Sequence, residues 1–147
     1  MLRIFGFVFL SMFSTSEKNI SELVKEFHLL DSKESEFLFI QKNEKDKDPS
    51  VLAYVHALKM KQATYTINPI LKLKIFNRNK NILNRLILDN AQNIHLRYIR
   101  LMLQESLPSF LGFDNFISED KAFLKLKLEI KDETDYLDKF INENTSL

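Results

Sequence analysis

The sequence contains no cysteine. This absence excludes a disulfide framework, a zinc site built from thiolates and a thiol nucleophile. It leaves the compartment open, because a chain without cysteine is compatible with oxidising and with reducing surroundings.

Glycine and proline are scarce, with 2 and 3 residues in a chain of 147. All-β sandwiches and barrels need many turns, which are usually rich in these residues, so their scarcity favours helices. Because glycine occurs only at positions 6 and 112, no nucleophile elbow, P-loop or dinucleotide-binding glycine motif is possible. The length fits one domain, and an apolar fraction of 45% is ordinary for a globular protein.

Metal-ligating patterns are also lacking. The three histidines, at positions 28, 56 and 95, are far apart and form neither H-x-x-x-H nor H-E-x-x-H. We interpret His95 as a hydrogen-bonded, half-buried side chain rather than a ligand. The sequence predicts no catalytic residue, metal or cofactor. An enzyme with dispersed catalytic residues stays open as an alternative, because loops can supply such residues without a motif.

The first sixteen residues, MLRIFGFVFLSMFSTS, have the layout of a secretory signal. Arg3 is followed by an apolar stretch from Ile4 to Phe13 and then by small residues at alternate positions. As a helix this stretch reaches only about 15 Å, about half of the bilayer core, so a stable membrane span is not expected. We predict a signal peptide at 1–16 and a single exported domain, periplasmic or secreted, at 17–147. The alternative is a buried N-terminal strand or helix of a cytoplasmic domain.

The periodicity of apolar residues predicts helices along most of the chain. Apolar residues recur every three or four positions in residues 17–30, 50–64, 69–89 and 93–106. Residues 31–49 combine a short apolar stretch with the charged run QKNEKDKD, so we predict this region to be partly linker-like. Asn79 lies inside an apolar stripe, and we expect its amide to bond a backbone carbonyl in a loop, the alternative being a wet groove.

The tetrapeptide LKLK occurs twice, at 71–74 and 124–127. Alternation of apolar and charged residues is typical of a half-buried strand. At the first copy, Asn68 and Pro69 form a favoured helix start and the surrounding apolar residues follow helical spacing, so we predict a helix. The second copy has similar surroundings but a longer alternation. We predict a helix there also, with a strand over 124–130 as the alternative.

Several short motifs resemble a known family. The segment LILDNAQNIHLRYIRL is similar to the junction between tetratricopeptide-type units. More broadly, residues 50–124 resemble small uncharacterised exported bacterial proteins with a tetratricopeptide-like fold. The resemblance rests on an A-x-x-x-A-L-K helix, an Asn-Pro helix start, the segment L-R-Y-I-R-L-x-L-Q-E and the turn P-S-F-L-G-F. It implies an all-α fold of five or six helices, in which antiparallel hairpins stack as a short array, and it implies no active site.

The net charge of +1 hides an uneven distribution. From His56 to Leu103 there are nine lysines and arginines and a single acid, Asp89, whereas both flanking regions are acidic. Helical spacing places three of these cations on one face of the helix predicted at 69–89, and two more on the polar strip of the next helix. The five cations, which we call the basic strip, are Lys74, Arg78, Arg85, Arg97 and Arg100.

The basic strip is the candidate binding site. It predicts a non-catalytic protein-interaction module outside the cytoplasm, whose partner is an acidic protein segment or an anionic glycan. A first alternative is a cytosolic helical protein that binds nucleic acid through the basic segment 72–100. A second alternative is an ordinary solvated face, neutralised by the acidic segment from Glu129 to Asp138 folding over it.

Overall fold

The computed structural model describes residues 19–147, and the structural statements below refer to this part of the chain. The predicted signal peptide at 1–16 lies outside the described residues. The described part is all-helical, which confirms the predicted class, and it contains seven α-helices where five or six were expected. They are α1 (Ile20–His28), α2 (Lys33–Asn43), α3 (Pro49–Gln62), α4 (Pro69–Asp89), α5 (Ile94–Ser106), α6 (Ile117–Leu128) and α7 (Asp138–Asn144).

Short polar side chains set the starts of the first five helices. The caps are Asn19, Ser32, Asp48, Asn68 and Asn93, and each accepts a hydrogen bond from a backbone N–H group of the first turn. Asn68 Oδ1, for example, accepts from the N–H groups of Ile70 and Leu71 at 3.0 and 3.1 Å. Such a cap stabilises a helix by about 1 kcal/mol. Pro49 and Pro69 follow their caps at the first helical position, where the missing N–H costs nothing.

Both copies of LKLK are helical. The first lies in the opening turns of α4 and the second in α6, which ends at Leu128. The prediction of two helices is confirmed, and the strand alternative for residues 124–130 is wrong. In α6, Leu124 is fully buried whereas Leu126 is exposed, because residues two apart point in different directions around a helix.

Residues 31–49 contain a further helix. Lys33–Asn43 form α2, and only residues 44–48 connect it to α3. Phe39 and Ile40 are buried and anchor α2 to the core. The linker-like part of this region is therefore confined to the end of the charged run.

The consecutive pairs α2/α3, α3/α4 and α5/α6 pack as antiparallel hairpins. Glu44, at the end of α2, forms an ion pair of 2.9 Å with Lys59, whereas Glu36, near the start of α2, accepts a hydrogen bond of 2.8 Å from Tyr65 beyond the end of α3. The pairs α3/α4 and α5/α6 pack in the same way across their connecting loops. The predicted hairpin arrangement is therefore present.

The leading helices of successive hairpins, α3 and α5, lie side by side and run parallel. At their starts, Asn93 Nδ2 donates to Ser50 Oγ at 2.8 Å, and one turn later Tyr54 Oη lies 2.7 Å from His95 Nδ1. Neighbours on several sides bury ten of the residues of α5. Helix α4, the longest at 21 residues, packs mainly on α3 and also contacts α5, while Phe76 meets the ring of Phe113. It lies at the edge of the stack, and much of its outward side is exposed.

Candidate functional site

Helix α4 carries two apolar rows. The row that faces the body of the protein is buried and consists of Phe76, Asn79, Leu83 and Ile87. The second row runs beside it, and Leu71 in this row is 45% exposed, while Ile75 and Ile82 are half-buried. Ile75 packs partly on the core, so the second row is in part available to another molecule.

Three members of the basic strip lie where the sequence places them. Lys74, Arg78 and Arg85 are exposed on the outward side of α4, at positions that share one face of the helix. Arg85 Nε lies 3.2 Å from Asp89 Oδ2. Within residues 19–147, Lys74 and Arg78 form neither an ion pair nor a hydrogen bond. Their charges are therefore exposed to solvent beside the second apolar row.

The rest of the basic middle segment is largely neutralised by other parts of the fold. Lys59 pairs with Glu44 at 2.9 Å, and Lys61 pairs with the buried carboxylate of Glu36. In the described chain, the cations of this segment that lack a carboxylate partner all lie on α4. They are Lys72, Lys74, Arg78 and Lys80. The tertiary structure thus concentrates the unpaired positive charge of the protein's middle on one helix.

The prediction that Arg97 and Arg100 belong to an exposed strip is wrong. Their exposed fractions are 8% and 3%. Helix α6 packs over this side of α5, and the carboxylate of Asp120, which is 0% exposed, lies between the two guanidinium groups. The two arginines are held inside the protein and do not converge with the cations of α4.

Asp120 is the centre of a dense hydrogen-bond network. Its oxygens accept from Arg97 Nη1 at 2.9 Å, from Arg100 Nε and Nη2 at 2.6 and 2.7 Å, and from Gln104 Nε2 at 3.0 Å. The guanidinium of Arg100 also lies over the ring of Phe116, 4.2 Å from its centroid. The network joins α5 to α6 across buried side chains, so it has a structural role.

The acidic segment from Glu129 to Asp138 does not cover α4. Lys131, within this segment, lies 3.6 Å from carboxylate oxygens of both Asp135 and Asp138. In residues 19–147, none of its carboxylates forms an ion pair with the cations of α4. The idea that this segment neutralises the basic strip is therefore not supported.

A groove of about 380 Å³ lies between α3 and α4, next to the second apolar row. It is lined by His56, Lys59, Gln62, Ile75, Arg78, Asn79 and Ile82. The Nδ2 of Asn79 donates to the backbone carbonyl of Ile75 at 2.8 Å, within α4 itself and not in a loop as expected. Its side chain also borders the groove, which was the alternative. The groove joins apolar, cationic and hydrogen-bonding side chains in one place.

His56 has a defined hydrogen-bonding state in this groove. Its Nδ1 lies 2.8 Å from Asn79 Oδ1. Since Asn79 Nδ2 is occupied by a carbonyl, Oδ1 must accept, so Nδ1 carries the proton. Burial, and to a smaller degree the charges of Lys59 and Arg78, lower the pKa of His56, while the bond to Asn79 opposes this. His56 is therefore uncharged at neutral pH and adds no further cation to the groove.

The interpretation of His95 as a hydrogen-bonded side chain is confirmed, and its burial is deeper than expected. Nδ1 and Nε2 lie 2.7 and 2.9 Å from the hydroxyl groups of Tyr54 and Tyr136. Burial lowers the pKa of His95 to about 4. In the described residues, no group of three or more histidine and carboxylate side chains is placed to hold a metal ion.

Comparisons with family models, curated proteins and solved structures found no match for this chain. The resemblance of residues 50–124 to exported tetratricopeptide-like proteins therefore stays a prediction. No helix of the described residues combines the length and the apolar character needed to cross a membrane.

Proposed function

We propose that the protein is a non-catalytic interaction module, with a tetratricopeptide-like stack of hairpins, that binds an acidic and partly apolar protein segment along α4. One observation carries the proposal: the unpaired cations Lys74 and Arg78 lie beside the half-exposed row of Leu71, Ile75 and Ile82. The groove between α3 and α4 extends this surface.

The energetics favour a protein segment over the other partners considered. Exposed ion pairs contribute only about 0–1 kcal/mol each and weaken with salt, so charge alone holds a partner weakly. Burial of an aliphatic side chain contributes about 1.5–3 kcal/mol. A segment that presents both carboxylates and apolar side chains gains from ion pairing and from apolar burial, whereas an anionic glycan gains mainly from ion pairing.

Nucleic acid is a weaker candidate for the same surface. The burial of Arg97 and Arg100 removes two of the cations of segment 72–100, which reduces the charge available to phosphates. The outward side of α4 offers leucine and isoleucine rather than aromatic rings, so bases find no stacking platform there.

Replacing Arg78 and Arg85 together by glutamine is expected to weaken binding of an acidic peptide about tenfold at low salt. The probe is a fluorescent peptide with a leucine stripe flanked by glutamates, and anisotropy measures its affinity. The free energy of unfolding should change by no more than about 0.5 kcal/mol, because both residues are exposed.

The control for charge is the pair Lys47→Gln and Lys125→Gln, which removes the same charge from exposed positions outside α4. The control for the ligand is the same peptide with glutamines in place of glutamates. Equal binding of the two peptides by the unmodified protein would contradict the proposed function, and so would an equal loss in the control pair.

The layout of residues 1–16 supports an extracytoplasmic location, which is part of the proposal. Mass spectrometry of the native protein from an envelope or secreted fraction is expected to find an N-terminus near Glu17. An intact Met1 on protein recovered from the cytosolic fraction would contradict the location without affecting the surface of α4.

A further inference from the structure

The first turn of α4 projects from the body of the protein. All eight residues from Ile67 to Lys74 are exposed. Lys72 lies on the side of the helix that, one turn later, buries Phe76 against the core. Because every residue of this segment is exposed, we treat residues 67–74 as one surface and call it the α4 tip.

The α4 tip is rich in large aliphatic side chains. Ile67 is 101% exposed, Ile70 80% and Leu73 50%. Single exposed apolar residues are ordinary, but a cluster of them on one projection marks an interaction site. Ile70 and Leu73 share one face of the helix and, with Pro69, Lys74 and Asn77, line a shallow depression of about 450 Å³. Leu71, which is 45% exposed, faces another direction, and Ile67 precedes the helix. Apolar groups that face several directions suit a partner that can enclose a projecting segment.

The charges of the α4 tip are of one sign. Lys72 and Lys74 lie among its aliphatic side chains and have no carboxylate partner in residues 19–147. No acid occurs in the sequence between Asp48 and Asp89. On the neighbouring α2, the carboxylate of Glu36 is occupied by Lys61 and Tyr65. The tip therefore presents apolar groups together with uncompensated positive charge.

We propose that the α4 tip inserts into the surface of an anionic lipid bilayer, with Ile67, Ile70 and Leu73 among the acyl chains and Lys72 and Lys74 at the headgroups. A lipid surface can enclose a projecting segment, and negative headgroups complement its two lysines. The insertion is interfacial, since the tip is only eight residues long. This site adjoins the peptide surface proposed further along α4 and shares Leu71 and Lys74 with it, so the protein would present the rest of that surface at a membrane.

Vesicle sedimentation tests the proposal with the whole chain, so that residues 1–18 are common to all variants. The unmodified protein is expected to bind vesicles of phosphatidylglycerol and phosphatidylcholine at least about tenfold more strongly than vesicles of phosphatidylcholine alone. The double variant Ile67→Ser/Ile70→Ser should lose about tenfold or more of its binding to the anionic vesicles, because both side chains would leave the acyl region.

The matched apolar control is Leu88→Ser/Leu126→Ser. These leucines are 76% and 65% exposed and lie outside the tip, so they should have no effect on vesicle binding. Lys72→Gln/Lys74→Gln should reduce binding to anionic vesicles and remove its salt dependence, whereas Lys47→Gln/Lys125→Gln should not. Equal losses in a tip pair and its control would overturn the proposal, and so would full binding by the isoleucine variant.

The cysteine-free sequence allows a second, local measurement. A single environment-sensitive fluorophore attached through Ile70→Cys should shift to shorter wavelength when anionic vesicles are added, while the same dye at Leu88→Cys should not. A shift at both positions, or at neither, is incompatible with insertion by the tip. A shift at Ile70→Cys without lipid that depends on protein concentration would assign the tip to self-association instead.

The peptide and vesicle measurements test the two proposals independently, because each uses a variant pair that lies outside the other surface. The variant Arg78→Gln/Arg85→Gln should lose peptide binding and retain the vesicle binding of the tip. If vesicles are bound through the tip but the acidic peptide is not bound, the proposed function is wrong and the membrane site stands. If the acidic peptide is bound but vesicles are not bound through the tip, the membrane site is wrong and the proposed function stands.

Discussion

Replacing Asp120 by alanine is expected to lower the free energy of unfolding by about 3–5 kcal/mol. Asp120 is fully buried, and its carboxylate accepts hydrogen bonds from Arg97, Arg100 and Gln104. Without it, two buried guanidinium groups lose their common partner. Removing one partner of a buried ion pair destabilises a protein by more than the intact pair stabilises it, because the remaining charge is left buried without a partner.

The neighbouring carboxylate provides the matched control. The side chain of Glu119 is 56% exposed and also approaches Arg97. Replacing Glu119 by glutamine is expected to cost less than about 1 kcal/mol, as for exposed ion pairs. Urea-induced unfolding, followed by circular dichroism, measures both variants. A cost for Asp120→Ala no larger than that for Glu119→Gln would show that the two arginines reach solvent, and it would restore them as candidates for the basic strip.

Acidification is expected to destabilise the fold by about 3 kcal/mol through His95 alone as the pH falls from neutral to about 4. Burial lowers the pKa of His95 from 6.5 to about 4 in the folded protein. Between these values the unfolded chain binds more protons than the folded one, so stability rises with pH in this window. The contribution of His95 is fully present above pH 6.5 and is lost as the pH falls through 4.

The pH dependence of unfolding in the variant His95→Gln tests this expectation. Glutamine leaves the hydroxyl groups of Tyr54 and Tyr136 with altered partners and so lowers stability at all pH values. The informative quantity is therefore the slope of stability against pH, which should become markedly shallower. The control His56→Gln should change the slope less, because His56 is less buried and Asn79 partly supports its charged form. An unchanged slope in His95→Gln would show that His95 titrates freely in the folded protein.

The starts of the helices and the class of the fold are readable from local sequence. Asn68 and Pro69 begin α4 where expected, because a cap and a preset backbone angle act within a single turn. At the first LKLK the cap and the apolar spacing outweigh a short alternation. The second copy is helical without a side-chain cap, since Phe116 precedes α6 and forms no capping hydrogen bond. Helix α2 was only partly anticipated, because its burial depends on contacts of Phe39 and Ile40 with other helices rather than on a long periodic pattern.

Three of the five cations of the basic strip could be placed from local sequence. Lys74, Arg78 and Arg85 share a face because of helix geometry alone, so their spacing was sufficient. Arg97 and Arg100 differ from these three cations because another helix packs over them. Their partner, Asp120, lies twenty or more positions away, beyond the reach of local spacing. Two arginines and a glutamine one turn apart on a mostly apolar helix are the signal that could have indicated a buried carboxylate.

By itself, the sequence determined the all-helical class, most helix starts, the surplus of positive charge in the middle of the chain and the common face of the α4 cations. Each of these follows from interactions within a few turns or from composition. Only the tertiary structure decided which of those charges remain unpaired and which apolar residues remain uncovered. The packing of α6 on α5 buries Arg97 and Arg100, while the edge position of α4 exposes Arg78 and leaves the α4 tip projecting. Pairing and burial depend on residues brought together from distant parts of the chain, and local spacing carries no information about them.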